Sequence, residues 1–304
     1  MARKDDADPR PIRRLLRRLI KAPAAWALVW PMALLVTSYF AYSHWFSAYF
    51  AAQHQGIDPA NIEITAPHEY VRTDVVEDVN RWAHFGELSS LDREATPKIA
   101  SAFKNHPWIR DVRSVVKLPG GKFRVEVDYR RPVASFHVTG DPQYMREIES
   151  HLSSLGMPTH GKADEMYFPL DGEGHMLPTE NISTEEVRRL IQIEVKNIYP
   201  TGVEGTLFGD KRVESAATLA NLLSAVSDRI QIAKIMVSGD PRMNIVPQLS
   251  LVTGTNTKLL WGSPPGMEQP NERGAKAKLT DLLSGNFVPD GDLRIATGGP
   301  GQIH

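Results

Sequence analysis

The sequence predicts an α+β protein with a single N-terminal transmembrane helix, a small β-α-α-β-β domain and a larger, β-rich domain with flanking helices. Three observations predict this fold class. Residues 22–57 contain no Lys, Arg, Asp or Glu. Apolar residues then recur at strand spacing, at helical spacing and again at strand spacing over about 75 residues. Beyond residue 139, short apolar runs bounded by turn residues become more frequent.

The apolar run predicts a transmembrane helix at residues 23–45. A hydrocarbon core of about 30 Å requires about 20 helical residues. A cytoplasmic tail, residues 1–22, precedes it and carries eight basic side chains: Arg3, Lys4, Arg10, Arg13, Arg14, Arg17, Arg18 and Lys21. Cations favour the cytoplasmic side, so we expect a single-pass protein of the plasma (inner) membrane with its domains outside. A cleaved signal peptide, a twin-arginine export signal and a buried helix of a soluble protein are the alternatives.

The first exterior domain is predicted at residues 58–138. A strand at its start is followed by a helix that Thr73 and Asp74 can cap, with Val75, Val76, Val79 and Trp82 at helical spacing. A second helix begins near Pro97. Two strands follow, Val112–Lys117 and Phe123–Tyr129, and the second alternates apolar with charged residues. Gly120 and its neighbours form the turn between them. The predicted order is therefore strand, helix, helix, strand, strand.

The second exterior domain is predicted at residues 139–298, with a flexible tail at 299–304. Its predicted elements, in chain order, are a strand–turn–strand over Tyr167–Leu177, a helix over Ser183–Leu190, a helix over Val213–Val226, a strand over Ile230–Val237, a hairpin over Leu249–Trp261, a helix over Ala275–Leu283 and a last strand over Asp292–Ala296. The Pro- and Gly-rich segment Ser263–Gly274 is predicted to be an exposed loop. The domain is therefore mixed and rich in strands.

Composition limits the function classes. There is no cysteine, so disulfides, thiolate nucleophiles and Cys-ligated metals are excluded. After the basic tail, acidic side chains outnumber basic ones, which disfavours nucleic-acid binding.

Motifs for catalysis or cofactor binding are lacking in the sequence: H-E-x-x-H, G-x-S-x-G and both glycine-rich phosphate loops are absent. Ser101 and Lys104 match S-x-x-K, a pattern that is frequent by chance. Asp171, Glu173 and His175 alternate as metal ligands do, but Asp-Gly at 171–172 is more typical of a β-turn. We therefore predict a protein that is not an enzyme and has no catalytic residues, metal site or cofactor.

One stretch resembles a known family. His106–Phe136, HPWIRDVRSVVKLPGGKFRVEVDYRRPVASF, resembles the POTRA domain of the FtsQ/DivIB family of bacterial cell-division proteins. The motifs that match are Pro107-Trp108-Ile109, Arg131-Pro132-Val133-Ala134, Leu170-Asp171-Gly172-x-Gly174, Lys278-Leu279 with Leu282-Leu283, and Asp292-Leu293-Arg294. Tyr129 stands where the family has Glu, Ala66 stands where it has Gly, and the segments at 179–205 and 263–274 are longer than usual.

The resemblance implies a non-enzymatic scaffold of the divisome at the septum. It implies binding to FtsB-like and FtsL-like bitopic coiled-coil proteins and a role in controlling septal peptidoglycan synthesis. The family's partner contacts fall on a candidate edge strand of Asp292, Leu293, Arg294, Ile295, Thr297 and Gly298. A strand that merely closes the sheet is the alternative interpretation of these residues. A POTRA-containing envelope assembly or secretion module, unrelated to division, is the alternative function.

Overall fold

The structure, a computed structural model, describes residues 23–43, 56–90, 92–157, 161–162, 165–179, 182–196, 198–226, 229–239, 246–285 and 287–295. This part of the chain is α+β, with seven α-helices and two sheets. It divides into two compact units. The described residues before Ile62, together with His84–Ala95, form one unit, and Ile62–Ala83 together with the described residues from Thr96 onward form the other. The first sheet, the second sheet and all the sites discussed below lie in the second unit.

The transmembrane helix predicted at residues 23–45 is corrected by the structure. Helix α1 spans Pro23–Ala41 and has Pro31 inside it. Alanine, tryptophan, serine and tyrosine are interspersed among its leucines and valines. Among the described residues, no helix combines the length and the apolar content that crossing a membrane requires. The basic tail at residues 1–22 lies outside the described residues.

The first sheet has three strands in the order β1-β3-β2. Its elements are β1 (Ile62–Ile64), α2 (Val75–Ala83), α3 (Ala95–Lys104), β2 (Ile109–Lys117) and β3 (Phe123–Tyr129). β1 lies parallel to β3, and β2 lies antiparallel to it. The bounds of β3 are those predicted, and its apolar residues Phe123, Val125 and Val127 are buried. The predicted order of elements is thus confirmed within this sheet and its helices.

Local capping explains where α2 begins. The Asp74 carboxylate accepts hydrogen bonds from the backbone N–H groups of Val76 and Glu77, at 3.0 and 3.1 Å. These N–H groups have no partner within the helix, so the cap stabilises its first turn by about 1 kcal/mol. Val75 and Val79, one turn apart, are both buried. The cap at Asp74 and the burial of Val75 and Val79 are confirmed, but Trp82, predicted on the same apolar face, is 48% exposed.

The second sheet has seven strands in the order β10-β9-β8-β7-β4-β6-β5. Its strands are β4 (Ala134–Thr139), β5 (Gly161–Lys162), β6 (Glu165–Leu170), β7 (Ile191–Glu194), β8 (Ile232–Ser238), β9 (Gln248–Thr253) and β10 (Lys258–Gly262). Its helices are α4 (Pro142–Ser154), α5 (Thr184–Arg189), α6 (Lys211–Ser224) and α7 (Ala275–Ser284). β4, β7 and β8 are parallel neighbours, and the remaining pairs are antiparallel. The predicted domain boundary between residues 138 and 139 falls inside β4, which belongs wholly to this second sheet.

One apolar core lies on the second sheet. Phe136 and Phe208 pack edge to face, with ring centroids 4.6 Å apart. Trp261 on β10 and Leu293 beyond it are buried in the same cluster. The core therefore extends to the C-terminal edge of the sheet, where Leu293 anchors the end of the described chain.

Candidate functional site

The candidate site is the outer side of β10, one edge of the seven-stranded sheet. A segment at residues 290–294 covers it. The Leu260 N–H donates to the Gly291 carbonyl at 3.0 Å, and the Leu293 N–H donates to the Leu260 carbonyl at 2.9 Å. The Asp290 carboxylate accepts a hydrogen bond from the Lys258 N–H at 3.1 Å. The segment 290–294 is thus the outermost backbone beside β10.

The candidate edge strand, Asp292–Arg294 with Ile295, Thr297 and Gly298, needs correction in its described part. Asp292 forms a single parallel bridge with Leu260, and turns follow it in place of a strand. The reason is local: the Asp292 carboxylate accepts a hydrogen bond from the Arg294 backbone N–H at 2.9 Å, which bends the chain. Thr297 and Gly298 lie outside the described residues.

Asp292 and Arg294 also form an ion pair. The Arg294 guanidinium donates from Nη2 to Oδ2 of Asp292 at 2.7 Å and from Nε to both carboxylate oxygens at 3.0 Å. The hydrogen bond from the Arg294 side chain holds the pKa of Asp292 below its usual value. The same contact raises the pKa of Arg294. The pair fixes the turn, while the Ile295 side chain that follows is 62% exposed.

The segment 263–274 was predicted to be an exposed loop, and the structure gives it a more specific role. Glu272 is buried against Lys278 of α7, with 2.5 Å between Oε1 and Nζ and side-chain exposures of 5% and 0%. The Lys278 ammonium also lies 5.1 Å from the Trp261 ring centroid, a cation–π distance. Burial opposes ionisation of Glu272, but hydrogen bonds from Lys278 and Ser263 outweigh it, so the pKa of Glu272 lies below its usual value.

This loop also contacts the segment 290–294. The Arg273 N–H donates to the Arg294 carbonyl at 3.1 Å. Gly262 permits the approach: a Cβ atom there would lie 2.2 Å from Oε1 of Glu272 and 2.5 Å from Cγ of Arg294. At Arg294, therefore, the backbone N–H is bonded to Asp292 and the carbonyl to the loop. The backbone groups of Arg294 are therefore not available to a strand added at this edge.

The other sequence candidates lie at the junction of the two sheets. Asp171, Glu173 and His175 each bring one donor atom into a group that spans at most 4.8 Å. Oδ1 of Asp171 accepts hydrogen bonds from the N–H groups of Glu173 and His175, at 2.9 and 2.8 Å. Oδ2 of Asp171 pairs with Nη1 of Arg130 at 2.6 Å, and both side chains are almost fully buried. Since Arg130 already neutralises Asp171, the turn and the ion pair account for this cluster.

Glu186 at the start of α5 forms a further ion pair, with Arg72. Ser183 caps α5, and the Glu186 carboxylate accepts a hydrogen bond from the Ser183 N–H at 2.9 Å. The same carboxylate binds Arg72, 2.5 Å away. The hydrogen bond from Arg72 lowers the pKa of Glu186 to about 2.

Ser101 and Lys104, the S-x-x-K match, lie exposed on α3, and the nearest described ion-pair partner of Lys104 is Asp111 at 3.9 Å.

Several residues that form contacts at the C-terminal edge were not identified from the sequence. Glu272 and Arg273 were assigned only to the loop at 263–274, and Gly262 was assigned to no element. Lys278 was assigned to the last helix without a partner. A Glu six residues before a Lys on the apolar face of a helix was the available signal for the buried pair.

A scan against models of protein families finds no match to this chain. A search of curated proteins likewise finds no significant match.

Proposed function

We propose that this protein is a non-enzymatic scaffold of the bacterial division machinery that binds other division proteins through its C-terminal edge. The family resemblance of residues 106–136 and 292–294 supplies the division context. The partners proposed are FtsB-like and FtsL-like coiled-coil proteins, at the division septum, where they influence septal peptidoglycan synthesis.

One observation carries the proposal. The segment 290–294 is hydrogen bonded along the outer side of β10, so the chain leaves the sheet as its outermost backbone. An outermost backbone with free N–H and C=O groups binds an extended partner by strand addition. Main-chain hydrogen bonds give affinity in this mode, and side-chain contacts give specificity.

Ile295 is the side chain best placed to contact a partner protein. It directly follows the Asp292–Arg294 ion pair and is 62% exposed. Leu293, two residues earlier, is 2% exposed and holds the segment to the core. The edge therefore combines a fixed base with an apolar side chain that is free to contact a partner.

The test is chemical crosslinking in dividing cells, followed by a pull-down of this protein. The unchanged protein should capture a small coiled-coil division protein, and a fluorescent fusion should gather at midcell. Ile295→Lys should abolish the capture, because a charge would enter an apolar contact. Val288→Lys is the matched control, since Val288 is 60% exposed and lies outside the segment 290–294.

Two outcomes would contradict the proposal. Uniform envelope fluorescence throughout constriction would show that the protein does not act in division. Equal capture by the Ile295→Lys and unchanged proteins would show that the C-terminal edge is not the binding surface. Capture of an outer-membrane assembly factor instead would favour the envelope-module alternative.

A further inference from the structure

A groove of about 410 Å³ lies at the junction of the two sheets, away from the C-terminal edge. The end of β3, the turn at 171–173 and the C-terminal half of α6 line it. Four guanidinium groups line this groove, from Arg110, Arg113, Arg130 and Arg131, against three carboxylates, from Asp128, Asp171 and Glu173. The groove thus carries one positive charge in excess.

Three of the four arginines are matched to a carboxylate. Arg113 pairs with Asp128 at 2.6 Å, Arg110 with Glu173 at 2.5 Å and Arg130 with Asp171 at 2.6 Å. Each match uses a different acid, so no carboxylate of the groove is left over.

Arg131 is the arginine that supplies the excess charge. It is exposed, and it forms no ion pair within the described chain. Its neighbour Arg130 is different, because its side chain is only 10% exposed and is committed to Asp171. A ligand that enters the groove therefore meets an available guanidinium at position 131.

The wall contributed by α6 adds a neutral hydrogen-bonding group. Asn221 lines the groove, and its side-chain amide makes no hydrogen bond to the part of the chain that is described. Gly172 makes room for it, since a Cβ at that position would lie 2.5 Å from Cγ of Asn221. The Ser224 hydroxyl donates to the Asn221 carbonyl at 2.9 Å and lies on the same wall. The amide N–H₂ of Asn221 is thus an available donor at the groove.

We propose that this groove binds a carboxylate group of a peptide, recognised by Arg131 and Asn221. A carboxylate carries the single negative charge that balances the groove. A phosphate carries about 1.5 to 2 negative charges and would exceed this excess beside Asp171 and Glu173. Guanidinium and carboxylate match in planar geometry, and a groove of this size accepts a small ligand or one to two residues of a chain. The proposal does not depend on the division role.

The test uses the full-length protein labelled with ¹⁵N at the arginine side chains. Two capped peptides distinguish the source of the carboxylate: acetyl-Ala-Glu-Ala-amide carries it on a side chain, and acetyl-Ala-Gln-Ala carries it at the chain end. The Nε–H signal that disappears in Arg131→Lys identifies residue 131. We expect this signal to shift saturably with at least one of the two peptides. Acetyl-Ala-Gln-Ala-amide, which has no carboxylate, should leave it unmoved.

Two variants make the assignment specific. Titration calorimetry measures the affinity of the variants, because Arg131→Gln lacks the Arg131 signal. Arg131→Gln should weaken binding about tenfold or more, the factor that corresponds to a lost hydrogen bond between charged groups. Asn221→Asp should weaken it further by placing a negative charge against the ligand. Arg124→Gln is the control, since Arg124 is exposed on β3, outside the groove, and pairs with Glu63 at 3.2 Å. Thermal unfolding should show that the exposed Arg131 substitution leaves the fold intact.

Three results would overturn the proposal. They are no saturable shift with either carboxylate peptide, equal affinity in Arg131→Gln, and equal loss in Arg124→Gln. The last would mean that the peptides respond only to the general charge of the surface.

Discussion

Two buried ion pairs in this protein serve opposite purposes. At the junction, Arg130 follows β3 of the first sheet and Asp171 follows β6 of the second, so their 2.6 Å pair ties two sheets together. At the C-terminal edge, Glu272 and Lys278 are only six residues apart, and their 2.5 Å pair holds a loop against one edge strand. The same chemistry therefore connects two sheets in one place and holds a loop at the C-terminal edge in the other.

The two pairs also differ in how completely their charges are compensated. Lys278 has a carboxylate and an aromatic ring, and Glu272 also accepts from the Ser263 N–H at 2.8 Å. Nε of Arg130 is buried and has no hydrogen-bond partner among the described groups. A buried pair that is fully hydrogen bonded is costly to break, because the remaining charge is stranded. The edge pair should therefore be the more sensitive of the two.

Breaking the edge pair should have the largest effect on stability. Lys278→Met leaves Glu272 as an unpaired buried carboxylate and should lower the free energy of unfolding by about 3–5 kcal/mol. Chemical denaturation measures it, with Lys276→Met, on the exposed side of α7, as a control that should change little. Adding Glu272→Gln to Lys278→Met should recover part of the loss. A loss below about 1 kcal/mol would show that the pair contributes little.

Breaking the junction pair should have the next largest effect. Arg130→Met strands the Asp171 carboxylate and should cost about 2–3 kcal/mol, less than at the edge because it also removes the buried Nε of Arg130, which has no hydrogen-bond partner among the described groups. Arg110→Met is the matched control, since its partner Glu173 lies on the same turn as Asp171 and their pair has side-chain exposures of 59% and 46%. An exposed pair of this kind contributes about 0–1 kcal/mol. Similar losses in the two variants would contradict the distinction between the buried and exposed pairs.

The elements that could be predicted from the sequence are those determined by local contacts, whereas the pairing of distant strands could not be predicted. β3 and the start of α7 at Ala275 were predicted at their observed positions, because alternation and helical spacing are local signals. The seven-stranded sheet was not predictable in this way. β4, β7 and β8 pair in parallel across long stretches of chain, and no local pattern specifies that pairing.

One helix was missed although a local signal was present. α4 begins with Asp141 as its cap, whose carboxylate accepts from the N–H groups of Gln143 and Tyr144, and with Pro142 in its first turn. Both residue types are typical of helix starts.

The candidate site was predictable in position but not in form. Asp292, Leu293 and Arg294 were placed at the end of the last domain, and the structure puts them beside β10. The strand expected there becomes a turn because Asp292 binds the N–H of Arg294, a side-chain contact that alternation does not encode. The loop contact from Arg273 was equally hidden, since it joins residues far apart in sequence.

Acidification should give the smallest effect and should act on the edge through Asp292. Because the Arg294 side chain lowers the folded-state pKa of Asp292 below its ordinary 3.8, this carboxylate stabilises the fold fully above the ordinary value. The contribution is lost as pH falls through the lowered folded-state pKa, while Arg294 stays protonated. Melting temperatures of the unchanged protein and of Asp292→Asn, measured from about pH 6 to about pH 2, should converge as the pH falls below the ordinary value.

The comparison with Asp292→Asn isolates this group from the other acids. The pKa of Glu272 is also lowered, and that of Glu186 is lowered to about 2, but both titrate in either protein and cancel in the difference. A difference in melting temperature that stays constant over the whole range would mean that Asp292 acts only through its neutral hydrogen bonds. Convergence would show instead that the charge of Asp292 holds the turn beside Ile295, on which the proposed partner contact depends.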